Sequence, residues 1–392
     1  MTEAINQVVL TNEERPYFGL DAVLPQWECV EIKPGFLAYF DGEIIRKTIS
    51  YRTLSGAGYE NFLEYIESDH EICTRERLVV LPRTERGKEK KLNYTSISAM
   101  KPTGCIFQMN LAYPNQSSTL LVMNARNTIS LPIPFPQNVD TLEAFRQWLA
   151  GFIKTCPENY WEKVARMKNT PHRTIKYGNG DIFRFEIDLE HYGFGLIIGQ
   201  INKMRKDGLL QEEHLLCATM GVPLLVRLYQ FQTTKKDLTV EEITQYPLGK
   251  TFIMMDNHVI WGVYDLVGSK PLEASDIDFP IQAGRSIDAQ DPDYVCLCWG
   301  TGLIVRRKAA DFPPALADNS LMRHSVHFGV GRGAWEQEMA GKAEKGLDEL
   351  EQIAFSYFGI PLTTTFDAFN QAHGGMTRGE YAAYANKSRR KL

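Results

Sequence analysis

The sequence predicts an α+β fold in two domains, an N-terminal antiparallel sheet covered by helices and a strand-rich C-terminal domain that ends in helices. Three observations carry this reading. Short apolar runs separated by Pro-Gly, Asp-Gly and Asp-Asn turn chemistry recur through both halves, the signature of hairpins. A helical stretch stops at Asn169-Thr170-Pro171-His172, and a new series of strands begins beyond it. The 392 residues also exceed what one ordinary hydrophobic core organises.

From Trp27 to Tyr51 the apolar groups are broken at Pro34-Gly35 and Asp41-Gly42, which predicts successive hairpins. Over residues 58–67, Tyr59, Phe62, Leu63 and Ile66 fall three and four apart, a spacing that predicts a helix. Strands are expected at 77–81, 92–98, 105–109 and 119–123. Between the first two runs a basic series, Arg83, Arg86, Lys88, Lys90 and Lys91, interrupted by Glu85 and Glu89 with Gly87 at its tip. That interruption favours a solvated hairpin loop over a nucleic-acid contact. After the extended Leu131-Pro-Ile-Pro-Phe-Pro, Asp140 with Glu143 predicts a reciprocal cap for a helix reaching about Thr155. Its stripe is Leu142, Phe145, Leu149, Phe152 and Ile153, and Pro157 opens a second helix with Tyr160, Trp161 and Val164. The domains expected are therefore residues 1–170, 171–333, and a C-terminal helical segment 334–392.

The second half opens on its most informative stretch, residues 180–201. Phe183, Phe185, Ile187 and Leu189 alternate with Arg184, Glu186 and Asp188, as in a half-buried strand. A turn at Glu190-His191 follows. Tyr192, Phe194, Leu196 and Ile198 then share one face, while Gly193, Gly195 and Gly199 dominate the other. Glycines permit tight coiling, so the expectation is a small, bent, β-barrel-like hairpin. Next come a charged connection at 202–208, a helical stretch at 209–220 and a strand at 224–231. Thr239 with Glu242 predicts a capped turn of helix. Strands are expected at 251–255, 259–267, 294–299, 303–307 and 323–330. A helix over 335–358 ends at Gly359 and Pro361, and a last helix from Thr377, with Glu380 in reciprocal position, ends in Lys387, Arg389, Arg390 and Lys391.

Composition narrows the function classes. The chain is 44% hydrophobic and 23% charged with a net charge of −5, ordinary values that provide no global attraction for nucleic acid or anionic lipid. No apolar run is long enough to span a membrane, and the N-terminus lacks the basic and apolar regions of a secretory signal. The seven scattered cysteines do not form a disulfide framework, so a reducing cytoplasm is the expected location.

The motifs Gly180-Asp181-Ile182-Phe183 and Tyr192-Gly193-Phe194-Gly195, running into Gly199-Gln200-Ile201, resemble the opening hairpin of the immunity protein 26 family. These are antidotes of bacterial polymorphic toxin systems. The restart of a strand at Gly221-Val222-Pro223 is similar to the same family, and the resemblance covers about Tyr177 to Val330. It implies a non-enzymatic protein whose partner is a cognate toxin effector. Residues 1–170 carry no family resemblance.

Other constellations point to weaker chemistry. Cys296 and Cys298 share one face of an expected strand, and with His324 and His327 they supply four zinc-type donors, although the spacing is not that of a structural zinc site. Buried small hydrophobes account equally for the cysteines. Gly329-Val-Gly-Arg-Gly333 lacks the Rossmann spacing, and Gly249-Lys250-Thr251 lacks the first glycine of a Walker loop. His191 and His214 have no nucleophile elbow to serve. No catalytic residue, metal or cofactor is expected. Residues 273–293 are acidic, and Asp276, Asp278, Asp288, Asp291 and Asp293 are the expected partner-binding residues, where charge would steer a basic partner. A solvated loop also accounts for them. The alternatives to an immunity protein are a small barrel that binds nucleic acid or peptide, and a metal-dependent enzyme using the cysteine-histidine set.

Overall fold

The computed structural model describes residues 9–54, 62–112, 116–285, 293–312, 326–331, 335, 336, 339 and 347–387. The chain divides into two compact units, Met1–Arg173 and Thr174–Leu392. Each has its own antiparallel sheet, in agreement with the α+β expectation.

In the first unit, β1 (Glu28–Lys33), β2 (Phe36–Asp41) and β3 (Ile44–Leu54) form the expected hairpins, with Gly35 and Gly42 both at positive φ in their turns. The long β4 (Phe62–Arg75) lies against β3 along its length and then forks. Its first part pairs with β7 (Cys105–Leu111), followed by β8 (Thr119–Asn124), and its end pairs with β5 (Val79–Val80), followed by β6 (Lys90–Lys91). The helix expected over 58–67 is therefore strand from Phe62 onward. Phe62 and Tyr65 are both buried, and Glu67 and Ser68 beside them are buried too, so β4 is covered on both faces and its apolar spacing mimics a helical stripe. The strand expected at 92–98 is instead the short helix α1 (Tyr94–Ser98), because Asn93 accepts a hydrogen bond from the Ser96 N–H as its cap. Gly87 marks the tip of an exposed β5–β6 loop as expected.

Helix α2 (Leu142–Thr155) lays Phe145 and Phe152 over the sheet, where they meet Phe107 and Phe18. Its cap is Thr141, which accepts from the Ala144 N–H, rather than the expected Asp140; the Asp140 carboxylate accepts from the Ser118 hydroxyl. Helix α3 (Tyr160–Asn169) buries Tyr160, Val164 and Met167 and leaves Trp161 exposed. Beneath these elements runs an ionic core. Glu67, fully buried, accepts from Arg15 Nε and Tyr65, and Lys47 Nζ bridges Glu67 at 2.7 Å and Asp69 at 2.5 Å.

In the second unit, six strands lie in the order β13 (Asp265–Ser269), β9 (Asp181–Glu186), β10 (Tyr192–Gln200), β11 (Pro223–Tyr229), β12 (Leu248–Met255) and β17 (Val326–His327). Only the last pair is parallel among the described residues. A second sheet of three strands, β14 (Gln282–Gly284), β15 (Val295–Trp299) and β16 (Gly302–Arg306), pairs antiparallel. The sheets are open, so the barrel expectation gives way to a layered arrangement.

The opening hairpin is central rather than half-buried, because both of its faces are covered. Ile182, Phe194, Leu196 and Ile198 face one cluster with helices α7 (Glu349–Phe358), α8 (Phe366–Ala372) and α9 (Arg378–Lys387). Phe183, Phe185 and Ile187 face another with Val226, Met254, Val259 and Tyr264. The register puts Phe185 opposite Gly193 and Phe183 opposite Gly195. Each ring lies across the glycine, so a Cβ at Gly195 would stand 2.3 Å from Phe183 Cζ and one at Gly193 would stand 2.4 Å from Phe185 Cζ. The glycines serve the rings rather than the curvature of a barrel.

Shorter elements depart from expectation in places. Residues 201–206 form helix α4 (Ile201–Lys206) rather than a connection, with Ile201 and Met204 buried. Within 209–220 the helical part is one 3-10 turn at Leu215–Ala218. Thr239 and Glu242 make the expected capping box on α5 (Val240–Ile243). Part of the strand expected over 259–267 is helix α6 (Asn257–Ile260), preceding β13. Gly359 ends α7 in the left-handed conformation, and Thr377 with Glu380 caps α9 reciprocally, both as expected. Arg389, Arg390 and Lys391 lie outside the described residues.

The Phe-over-Gly packing makes a direct prediction. Gly195→Ala should lower the stability of the second unit by about 1–3 kcal/mol, because the ring has no room to retreat. Adding Phe183→Leu should recover part of that loss, read as a shift in the urea midpoint; equal midpoints for wild type and Gly195→Ala would show that the contact is slack.

Candidate functional site

The neighbouring ends of β11, β12 and β17 place segments that the sequence keeps far apart on the same end of one sheet. Before β11 the chain turns at Gly221, whose positive φ favours glycine, with the Met255 side chain packed against it. Asn202 Nδ2 donates to the Gly221 carbonyl at 2.9 Å, and the Asp256 N–H donates to the Val222 carbonyl at 3.1 Å. The turn thereby presents Met220 and Val222, which are 85% and 40% exposed.

On the neighbouring side, His327 pairs with Met254 in the parallel ladder, and Phe328 follows it, 74% exposed. Its backbone is clamped. His258, on α6, has its Nδ1 2.6 Å from the Phe328 carbonyl and donates to it, and burial holds this imidazole below its usual pKa, so it is neutral near pH 7. The buried Tyr264 hydroxyl accepts from the Val330 N–H at 2.6 Å and lies 3.1 Å from the Val330 carbonyl, to which it donates. His258 and Tyr264 stack on each other with centroids 5.1 Å apart. Gly329 fits only because it lacks a Cβ, which would stand 2.6 Å from the Tyr264 hydroxyl. Close packing is thus the role of the first glycine in Gly329-Val-Gly-Arg-Gly333, and Gly333 lies outside the described residues.

Residues 178–292 match the family Immunity protein 26. The match falls in the C-terminal half, as the resemblance of the opening hairpin implies, and covers strands β9 to β14, ending before β15 and short of the Val330 to which the resemblance was carried. No curated protein matches the chain, and no solved structure does. Met220 and Val222 lie inside the Immunity protein 26 segment, and Phe328 is set beside it by the β12–β17 pairing.

The acidic residues singled out from sequence are placed differently from one another. Asp276 is buried, its carboxylate ion-paired with Lys270 Nζ at 2.7 Å and accepting from the Glu273 N–H at 2.8 Å. Asp278 accepts from the Thr251 N–H, and the Thr251 hydroxyl donates to its carbonyl at 3.0 Å. Arg227 fixes the same loop by donating to the carbonyls of Ser275, Asp276, Leu248 and Gly249. Asp293 is exposed, and Asp288 and Asp291 lie outside the described residues.

Among the described residues, the cysteine-histidine set is not assembled into a site. Cys296 and Cys298 are buried on β15 with Leu215 and Leu303, and Cys298 Sγ accepts from the Leu215 N–H. Burial pushes the Cys298 thiol well above its ordinary pKa, as for a small buried hydrophobe. His327 sits on the other sheet with its ring edge-on to Phe252, and His324 lies outside the described residues. Among the described residues no cluster of three or more His, Cys, Asp or Glu could hold a metal ion. His191 pairs with Asp188 within its turn, and Gly249-Lys250-Thr251 is part of β12. No described helix is long and apolar enough to cross a membrane.

His214 is structural. Its Nδ1 accepts from the Leu216 N–H at 3.2 Å, and Nε2 lies 3.3 Å from the Gly300 carbonyl, so the neutral Nε2–H tautomer joins the 3-10 turn to the β15–β16 hairpin. Burial lowers its pKa from 6.5 to about 4. Because the folded pKa is depressed, the neutral ring's contribution is present above pH 6.5 and is lost as pH falls toward 4. A His214→Gln variant should therefore lose less stability over that window than wild type, by up to about 3 kcal/mol. Urea midpoints of the two proteins at several pH values check this, and parallel pH profiles would contradict it.

Proposed function

We propose that the chain is an immunity protein that binds and neutralises a cognate bacterial toxin effector without catalysis, and that Met220, Val222 and Phe328 anchor the toxin. The match of residues 178–292 to Immunity protein 26 carries the functional reading. The exposure of these three side chains at the same end of the sheet supports the choice of surface. Large apolar side chains presented to water are characteristic of interface centres, and methionine adapts its shape to a partner at little cost. Rigid presentation favours binding, since little conformational freedom remains to be lost. The clamp of His258 and Tyr264 on residues 328–330 supports that rigidity.

Such a protein would act by occupation. An interface of ordinary size, about 1,600 Å² in total, is enough to cover a toxin's active site. Exposed Asp293 is proposed as an outlying contact that steers a basic toxin surface, whereas Asp276 and Asp278 contribute by shaping the loop that precedes it. A cytoplasmic location would place the inhibitor where a delivered toxin arrives.

Co-expression with the product of the adjacent gene tests the function. Wild type should restore growth and co-purify with that product; if the product is toxic and neither happens, the immunity reading fails. Phe328→Asp and Met220→Glu should each weaken binding at least about 10-fold, equivalent to about 1.4 kcal/mol, with little change in thermal unfolding because both side chains are exposed. Rescue with undiminished affinity in both variants would place the interface elsewhere on the protein.

A further inference from the structure

The turn that presents Met220 and Val222 is wound around one side chain of helix α4. That helix continues directly from β10, and the buried Ile201 and Met204 fix it in the core beside Asn202 and Arg205. Arg205 reaches across to the residues before Met220. Its Nη2 donates to the carbonyls of Leu216 at 2.6 Å, of Cys217, and of Thr219 at 2.9 Å, and lies 3.1 Å from the Thr219 hydroxyl. Two hydrogens on Nη2 are shared among these acceptors, and each bond has a charged donor, the stronger kind. Arg205 Nη1 lies 3.4 Å from Asn202 Oδ1, which leaves the Asn202 amide group turned to the Gly221 carbonyl. The two side chains, three apart on α4, hold the turn as a pair.

The direction of the carbonyls decides what the turn can offer a partner. Those of Leu216, Cys217 and Thr219 are bound by Arg205, that of Gly221 by Asn202, and that of Val222 by the Asp256 N–H. Backbone acceptors are thus drawn inward, and the exposed groups include the apolar side chains of Met220 and Val222. Carbonyls in a surface turn are equally well satisfied by water, so hydrogen-bond satisfaction alone requires no guanidinium here. Its effect is geometric. The regular structure of residues 215–222 is one 3-10 turn, Leu215–Ala218, and a segment of that kind left unheld would have to be ordered when a partner binds.

We propose that Arg205 is the positioning residue of the toxin-binding surface, holding residues 216–222 with their polar backbone inward so that Met220 and Val222 enter an apolar pocket of the toxin. The proposal rests on the immunity reading and on the anchor residues named with it. Arg205 itself stays out of the interface and acts through the turn.

Three measurements on the full chain test it. In the free protein, Arg205→Met, which keeps the apolar stem, should speed amide exchange over residues 216–222 about 10-fold or more while β10 and β11 keep their protection. With the product of the adjacent gene as probe, Arg205→Met and Met220→Ala should each weaken binding about 10-fold, and the double variant should fall well short of the ~100-fold product, because the arginine acts through the placement of Met220. Met220→Leu should bind like wild type and Met220→Gln about 10-fold more weakly, since a pocket without polar partners leaves the amide unpaired. If Arg205→Met does not fold, Asn202→Ala, which frees only the Gly221 carbonyl, should move exchange and affinity in the same directions.

Unchanged exchange over residues 216–222, or losses that multiply in the double variant, overturns the positioning role. Wild-type affinity of Arg205→Met beside weakened Phe328→Asp also overturns it and leaves the anchor surface standing, whereas wild-type affinity in every variant removes the surface and this proposal together. Equal binding of Met220→Leu and Met220→Gln overturns the apolar pocket.

Discussion

The second unit depends on one steric fit, two phenylalanine rings lying flat across two glycines on the adjacent strand. Phe183 and Phe185 project to the same face as Gly195 and Gly193, and the absence of Cβ atoms lets the rings bend over the partner strand instead of standing off it. Phe183 then stacks on Tyr264 with centroids 5.4 Å apart. Tyr264 in turn holds the backbone of Val330, two residues beyond the exposed Phe328. A packing choice in the central hairpin is thus connected through contiguous contacts to the surface proposed to meet the toxin.

The first unit is organised by different physics. Arg15, Lys47, Glu67 and Asp69 are all buried, and each charge is met by an opposite one. Burial alone would raise the pKa of Glu67, but Lys47 and Arg15 together hold it below the usual value. At Asp69, burial prevails over Lys47 and the pKa rises to about 6. Paired buried charges of this kind give little net stability, yet removing one partner is costly, so they constrain the arrangement strongly.

Legibility in the sequence followed burial. The hairpins at Pro34-Gly35 and Asp41-Gly42, the caps at Thr239 and Thr377 and the glycine stop at Gly359 were readable because each rests on local backbone chemistry. Strand β4 was not, because burial on both faces erases the alternation that marks a strand and Phe62, Leu63 and Ile66 then imitate a helix. The acidic series 276–293 looked like one surface, but the partners of Asp276 and Asp278 are contributed by Lys270 and β12 and draw those two residues into the domain. Met220 and Phe328 give no signal in sequence, since a lone apolar residue in a loop reads the same whether exposed or buried.

The sequence by itself determined the α+β class, most of the hairpins and helix ends, and the resemblance of the opening hairpin to Immunity protein 26, because these depend on contacts within a few residues or on a short recognisable pattern. The tertiary structure alone decided that the sheets stay open, that Cys296 and His327 lie on separate sheets, and that the exposed Met220, Val222 and Phe328 belong to strand ends on the same end of one sheet. Those outcomes depend on which distant segments are brought together, and on what remains exposed once they have packed.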